Sequence, residues 1–162
     1  SGAIPHLEQA TFGSNRAHAV ATEGATMIDL TLAMAETALR AAQAKAKALG
    51  APMTVTVVDE GGRLVLCARG DGTGFLTPDT SRAKATAAAA FRRSTAELTA
   101  FGAKGWGFWQ VMPIVAQGEV LPTLGGAPIA IGGRVIGGIG CGGGTGEQDQ
   151  ECADAGAAAV NG

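Results

Sequence analysis

Three side chains with reactive chemistry surround one glycine-rich run, Gly132 to Asp149. Cys141 ends a short apolar stretch, and Glu147 and Asp149 follow the Gly142-Gly143-Gly144-Thr145-Gly146 segment. A thiol near a helix N-terminus can lose its proton easily and act as a nucleophile or metal ligand. A carboxylate near apolar rings can have its pKa raised and serve as a general acid or base. Plain structural roles stand beside these: a small buried thiol at a strand end, and acidic residues at the positive end of a helix. Backbone N–H groups around Gly143 and Thr145 could hold a phosphate or carboxylate. No lysine follows the glycines, so this is not a Walker A loop, and the two acids would repel a phosphate. Ordered glycine loses more chain entropy than any other residue, so the run implies unusual backbone angles or a close approach.

A second group of candidates lies upstream. Arg82 and Lys84 fall early in a helix, the less favourable end of the dipole for a cation. They need a partner, which Glu147, Asp149 or an anionic ligand could supply. Trp106, Phe108 and Trp109 cluster beside glycines and could line a flat apolar pocket, an interface or simply the core. Met112 is a possible axial haem ligand, although most methionines at such positions are packing. Thr123, in the Leu121–Gly126 loop, completes the ligand-binding candidates.

Composition narrows the classes. At 162 residues the chain suits one domain with a real core, and 46% hydrophobic residues argue against disorder. Twelve Lys and Arg form no long block and net charge is −2, which argues against nucleic-acid binding. No apolar run approaches the roughly 20 residues that cross a bilayer, so no membrane span is expected. Cys67, Cys141 and Cys152 form no CxxC pair, and His6 and His18 form no HExxH motif. An all-protein zinc or iron site is hard to build from these, and the metal stays unknown. Cys67 and Cys152 read as core residues. The start at Ser-Gly suggests processing or an expression scar, so the compartment stays open: cytoplasmic, or periplasmic or secreted after signal removal.

These residues need elements to position them. Residues 1–21 read as an N-terminal arm and 22–162 as a single domain. Thr22 to Leu49 reads as a helix with an apolar stripe at Ile28, Leu32, Ala35, Leu39, Ala42, Ala46 and Leu49. Met53–Val58 and Arg63–Ala68 form a hairpin across Asp59-Glu60-Gly61-Gly62. A second helix starts near Thr77 with Pro78 at its first turn, and Ser94 with Glu97 has capping-box spacing for a short third. Val111–Ala116 reads as an irregular edge strand because of Pro113. Ala127–Ile131 and Arg134–Gly140 form a second hairpin across Gly132-Gly133, and Thr145 with Gln148 caps the last helix. Hairpins without βαβ crossovers predict an α+β fold: an antiparallel sheet of four or five strands packed with helices.

The ordered pieces Leu121-Pro-Thr-Leu-Gly-Gly-Ala-Pro-Ile, Gly133-Arg-Val-Ile-Gly-Gly-Ile-Gly and Gly143-Gly-Thr-Gly-Glu-Gln-Asp149 with Cys152-Ala153 resemble the GlcG/HbpS-like family. This haem-binding-protein domain also ends some PduO-type adenosyltransferases. Val57 to Leu64 is similar to its first hairpin, and Lys84-Ala-Thr-Ala with Phe91 to Thr95 to its central helix. The resemblance implies a profilin-like two-layer α+β domain, a dimer or larger homo-oligomer, and binding of haem, another tetrapyrrole or a small molecule. Cys141 and Gly142 stand where the family commonly has Val and Ser, and Gly105–Trp109 is unusually aromatic. Two functions follow as expectations. One is a tetrapyrrole or small-ligand binder, with Arg82 or Lys84 pairing propionates and Cys141 or Met112 touching iron. The other is a cofactor-independent enzyme on a small organic acid or ring compound, with Glu147 or Asp149 as acid/base and Cys141 as nucleophile or proton carrier.

Overall fold

The computed structural model describes residues 27–161 except 106. The expected N-terminal arm, His6, His18 and Trp106 lie outside the described residues, while the first helix begins at Leu32 and not at Thr22: residues 27–31 are not helical, and Thr31 caps the helix by accepting from the Met34 N–H.

Nine elements follow one another: α1 (Leu32–Leu49), β1 (Thr54–Asp59), β2 (Leu64–Ala68), α2 (Thr77–Phe91), α3 (Thr95–Ala103), α4 (Gly107–Val115), β3 (Gly126–Ile131), β4 (Arg134–Gly142) and α5 (Gly146–Ala158). The four strands form one sheet in the order β2-β1-β4-β3, with every neighbour antiparallel. Both hairpins arise as their turn residues predict. Gly132 and Gly133 both have positive φ, as a two-residue hairpin turn requires.

The alternation of β1 sorts the layers. Val55 and Val57 pack with Ile129, Ile139, Cys141 and the alanines of α1 and α5. Thr54, Thr56 and Val58 face α2, where Thr56 meets Ser81 at 2.7 Å and Val58 meets Ala85 and Ala89. Helices thus cover both faces of the sheet, one layer more than the two expected.

The glycines of β4 explain how α2 fits. A Cβ at Gly138 would overlap the carbonyl of Ala85, and one at Gly140 the carbonyl of Ser81. Helix backbone therefore rests directly on strand backbone. The glycine run serves helix packing over its strand and hairpin turning at its start.

Four features differ from expectation. Val111–Ala116 is not a strand: residues 107–115 form α4, with Pro113 inside it. Trp109 and Ala116 pack with Phe91 and Phe101 against Leu98 and Val120, which holds this segment as a helix. The buried stripe of α1 is Ala35, Ala38, Ala42 and Ala46, while Leu32 is 57% exposed, because small residues let α5 approach closely. Cys67 is exposed on β2 and accepts a hydrogen bond from Thr56 Oγ1 at 3.2 Å, so it is not core. The helix at Thr95 forms with Ser94 as its cap, but Glu97 pairs with Arg93 at 3.0 Å and does not close a capping box. Thr145 and Gln148 do close theirs.

Candidate functional site

Two regions hold the residues that the sequence singles out. The first is a buried polar centre where β4 passes into α5. Lys84 extends from α2 between the strands, and its Nζ donates to Asp149 Oδ2 at 2.8 Å and to the Cys141 carbonyl at 3.0 Å. Asp149 Oδ1 accepts from the Gly144 N–H at 3.0 Å. Both charged side chains are under 10% exposed. Gly125, at φ +119, passes so close that a Cβ there would lie 2.9 Å from Lys84 Nζ and 2.8 Å from the Cys141 carbonyl.

Gln150 and Thr95 extend this centre. Gln150 Oε1 accepts from the Gly125 N–H at 2.8 Å, and its Nε2 donates to Ser94, the Gly126 carbonyl and Asp154. Thr95 Oγ1 accepts from the Gly126 N–H at 2.7 Å. Among the described residues no buried side-chain nitrogen or oxygen lacks a partner. A fully satisfied network of this kind specifies one packing arrangement. Gly125, Thr95 and Gln150 escaped the sequence reading. Only the Gly125-Gly126 pair carried a signal, since consecutive glycines before a strand mark close approach.

Cys141 lies at the edge of this centre and is fully buried. Burial, then the neighbouring Cys152 and Asp149, push its thiol well above the usual range, and Lys84 only partly offsets them. The thiol is therefore protonated near neutral pH. Cys152 behaves alike: burial first, then Asp149, raise it from 9.0 to about 11. Glu147 is exposed on the first turn of α5, apart from Asp149's network. Thr145 is spent as the helix cap, and Gly143 packs its backbone over Pro52 and Thr73.

The second region is aromatic. Trp109 packs against Phe91, with ring centroids 4.8 Å apart, and stacks on Phe101 at 5.7 Å. This anchors α4 beside Leu98 and Val120. The outer side of α4 behaves differently. Phe108, Val111, Met112 and Val115 fall at i, i+3, i+4 and i+7, one face of a helix. Phe108 is 55%, Val111 49% and Val115 68% exposed, and Met112 is half-buried between them. No residue of α4 carries a charge, and none is buried.

The remaining candidates sit apart from both regions. Arg82 faces Glu119 at 3.9 Å on the surface, and Thr123 is exposed in its loop. The structure thus brings Cys141, Lys84, Asp149 and the Gly143–Thr145 turn together, and Trp109 with Met112, but does not join the two sets. Among the described residues no three His, Cys, Asp or Glu side chains gather to hold a metal, and no helix is long and apolar enough to cross a membrane. The described pockets range from about 130 to 360 Å³. Three of the four are lined with charged side chains, a poor match to a flat apolar macrocycle.

Comparison with known proteins agrees with this architecture. An uncharacterised 15.0 kDa protein from the dhaT–dhaS intergenic region of Citrobacter freundii is 34% identical over 125 residues, 77% of this chain and 87% of that protein. A Streptomyces reticuli HbpS double mutant is 29% identical, with a TM-score of 0.72 over 99% of both chains. A PduOC:haem complex is also 29% identical, with a TM-score of 0.73 over 82% of this chain and 96% of that one. The family model described as "Haem degrading protein HbpS-like" matches residues 30–158, and the chain belongs to that family.

Proposed function

We propose that this protein binds haem or a related tetrapyrrole on the outer face of α4. The observation that carries the reading is the exposed stripe Phe108, Val111, Met112 and Val115, uncharged and centred on a thioether. A solvent-facing apolar surface of this kind marks an interaction site. The family and the haem complex of a structural neighbour support a tetrapyrrole as its occupant. Aromatic anchoring of Trp109 beneath the stripe keeps the face in place. Met112 would contact the metal, while Arg82 faces Glu119 away from this face.

Cys141 and Lys84 have other tasks in this reading. The Cys141 thiol is enclosed and Lys84 is committed to Asp149. The tetrapyrrole reading is favoured over the acid/base alternative because Asp149 is held by Lys84 and Gly144 and Glu147 is exposed on α5. A homo-oligomer, covering part of α4 and the macrocycle together, belongs to the same proposal.

Stoichiometric haem added to the protein should give a Soret band distinct from that of free haem. Val111→Ser with Val115→Ser should weaken the titration about tenfold, the worth of two lost apolar contacts. Met112→Ala should shift the band. A wild-type spectrum identical to free haem, or a double variant that titrates like the wild type, overturns the proposal.

A further inference from the structure

We infer that a second site, for an oxyanion of carboxylate or phosphate type, lies where the first hairpin meets the end of α2. It centres on Arg92 and Arg63. These two line a pocket of about 360 Å³ with Glu60, Gly61, Ala89 and Val135.

The backbone of Arg92 is the first observation. It sits at the C-cap of α2 with φ 54, ψ 37, in the left-handed region. Glycine or asparagine normally fills that position, because a Cβ is strained there. An arginine at this position retains the strain, and strain of this kind concentrates at ligand sites. The Arg92 side chain is exposed and makes no ion pair among the described residues.

The charges around it are the second. Glu60 is held by Arg134 Nη2 at 2.8 Å. Asp59 is engaged by the hairpin turn, where its Oδ1 accepts from the Gly61 and Arg63 N–H groups at 2.9 Å. Its other oxygen lies 3.7 Å from Arg63, whose side chain is 82% exposed. Neither carboxylate reaches Arg92, and Arg63 is only loosely engaged. Two guanidinium groups with free donors on one pocket wall suit a planar carboxylate or a phosphate, which arginine grips by paired hydrogen bonds.

The third is rigidity. Gly62, at φ +77, lies so close to α2 that a Cβ would stand 3.0 Å from Thr86 Cγ2. The turn bearing Arg63 is thereby pressed against the helix bearing Arg92. This site does not depend on haem, and it lies on elements other than α4.

Succinate and inorganic phosphate, titrated separately at constant ionic strength, test it through the arginine Nε–H and Gly61 amide signals in NMR spectra. Saturable shifts are expected with at least one probe, and the probe that saturates names the group recognised. Arg92→Gly should weaken binding at least about tenfold while Tm holds or rises, because glycine relieves the backbone. Arg63→Ser, at a highly exposed position, should weaken binding similarly without a folding cost. Arg40→Gln, on α1 away from the pocket, should bind as the wild type does. Linear, non-saturating shifts with both probes overturn the inference. So does unchanged affinity in both Arg92→Gly and Arg63→Ser.

Discussion

The buried centre around Lys84 and Asp149 and the outer face of α4 are opposites. The first is polar, closed and satisfied: every buried side-chain donor and acceptor described there has a partner. The second is apolar, open and uncharged. Reactive residue types collect in the first, yet their chemistry is spent on one another. The second has few reactive groups, but it is the region with binding capacity left over. On the proposed reading, unspent surface marks the ligand region better than a list of nucleophiles and acids does.

The strongest way to break this contrast is to cut the ion pair. Lys84→Met or Asp149→Leu alone leaves a buried charge uncompensated and should cost about 3–5 kcal/mol in urea denaturation. The double variant Lys84→Met/Asp149→Leu should recover most of that loss. A single variant as stable as the wild type but inactive in ligand binding would turn the centre into a functional site.

Next comes the close contact of α2 with β4. Gly138→Ala or Gly140→Ala places a methyl group into helix backbone and should cost about 1–3 kcal/mol, as overpacking does. Measured loss below that range would show that the helix can lift from the strand.

The thiols give a smaller, pH-dependent effect. The folded state holds Cys152 protonated to about 11, while the unfolded thiol ionises near 9.0. Above the lower value the unfolded chain binds fewer protons, so stability falls as pH rises between the two and is unaffected below. The slope is about 1.4 kcal/mol per pH unit at most. Cys152→Ala should flatten it in thermal melts at pH 8, 9 and 10. An unchanged slope would place the alkaline sensitivity at Cys141 or elsewhere.

The smallest stability change is expected on α4. Val111→Ser/Val115→Ser should stay within about 0.5 kcal/mol per substitution, because neither side chain is buried. A larger loss would show that the face is covered by another copy of the chain.

Much of the frame was legible beforehand. Gly132-Gly133 between apolar runs specified a hairpin, and Pro78 and Thr145 marked helix starts that the structure confirms. The family resemblance was legible too, because its motifs recur in order. Lys84 announced its need for a partner through its position early in α2. What failed was α4. Pro113 argued for an edge strand, since a proline removes one helical hydrogen bond, but Trp109 packed on Phe91 and Phe101 stabilises a helix at that point.

The sequence by itself determined the local pieces: turn residues with positive φ, caps, strand alternation and the order of motifs. Each depends on neighbours within a few positions. The tertiary structure alone decided which of the acids met Lys84, that Cys141 was sealed and protonated, and that Phe108, Val111 and Val115 faced solvent. Those outcomes depend on residues up to 65 positions apart, brought together by a sheet whose pairing local signals do not specify.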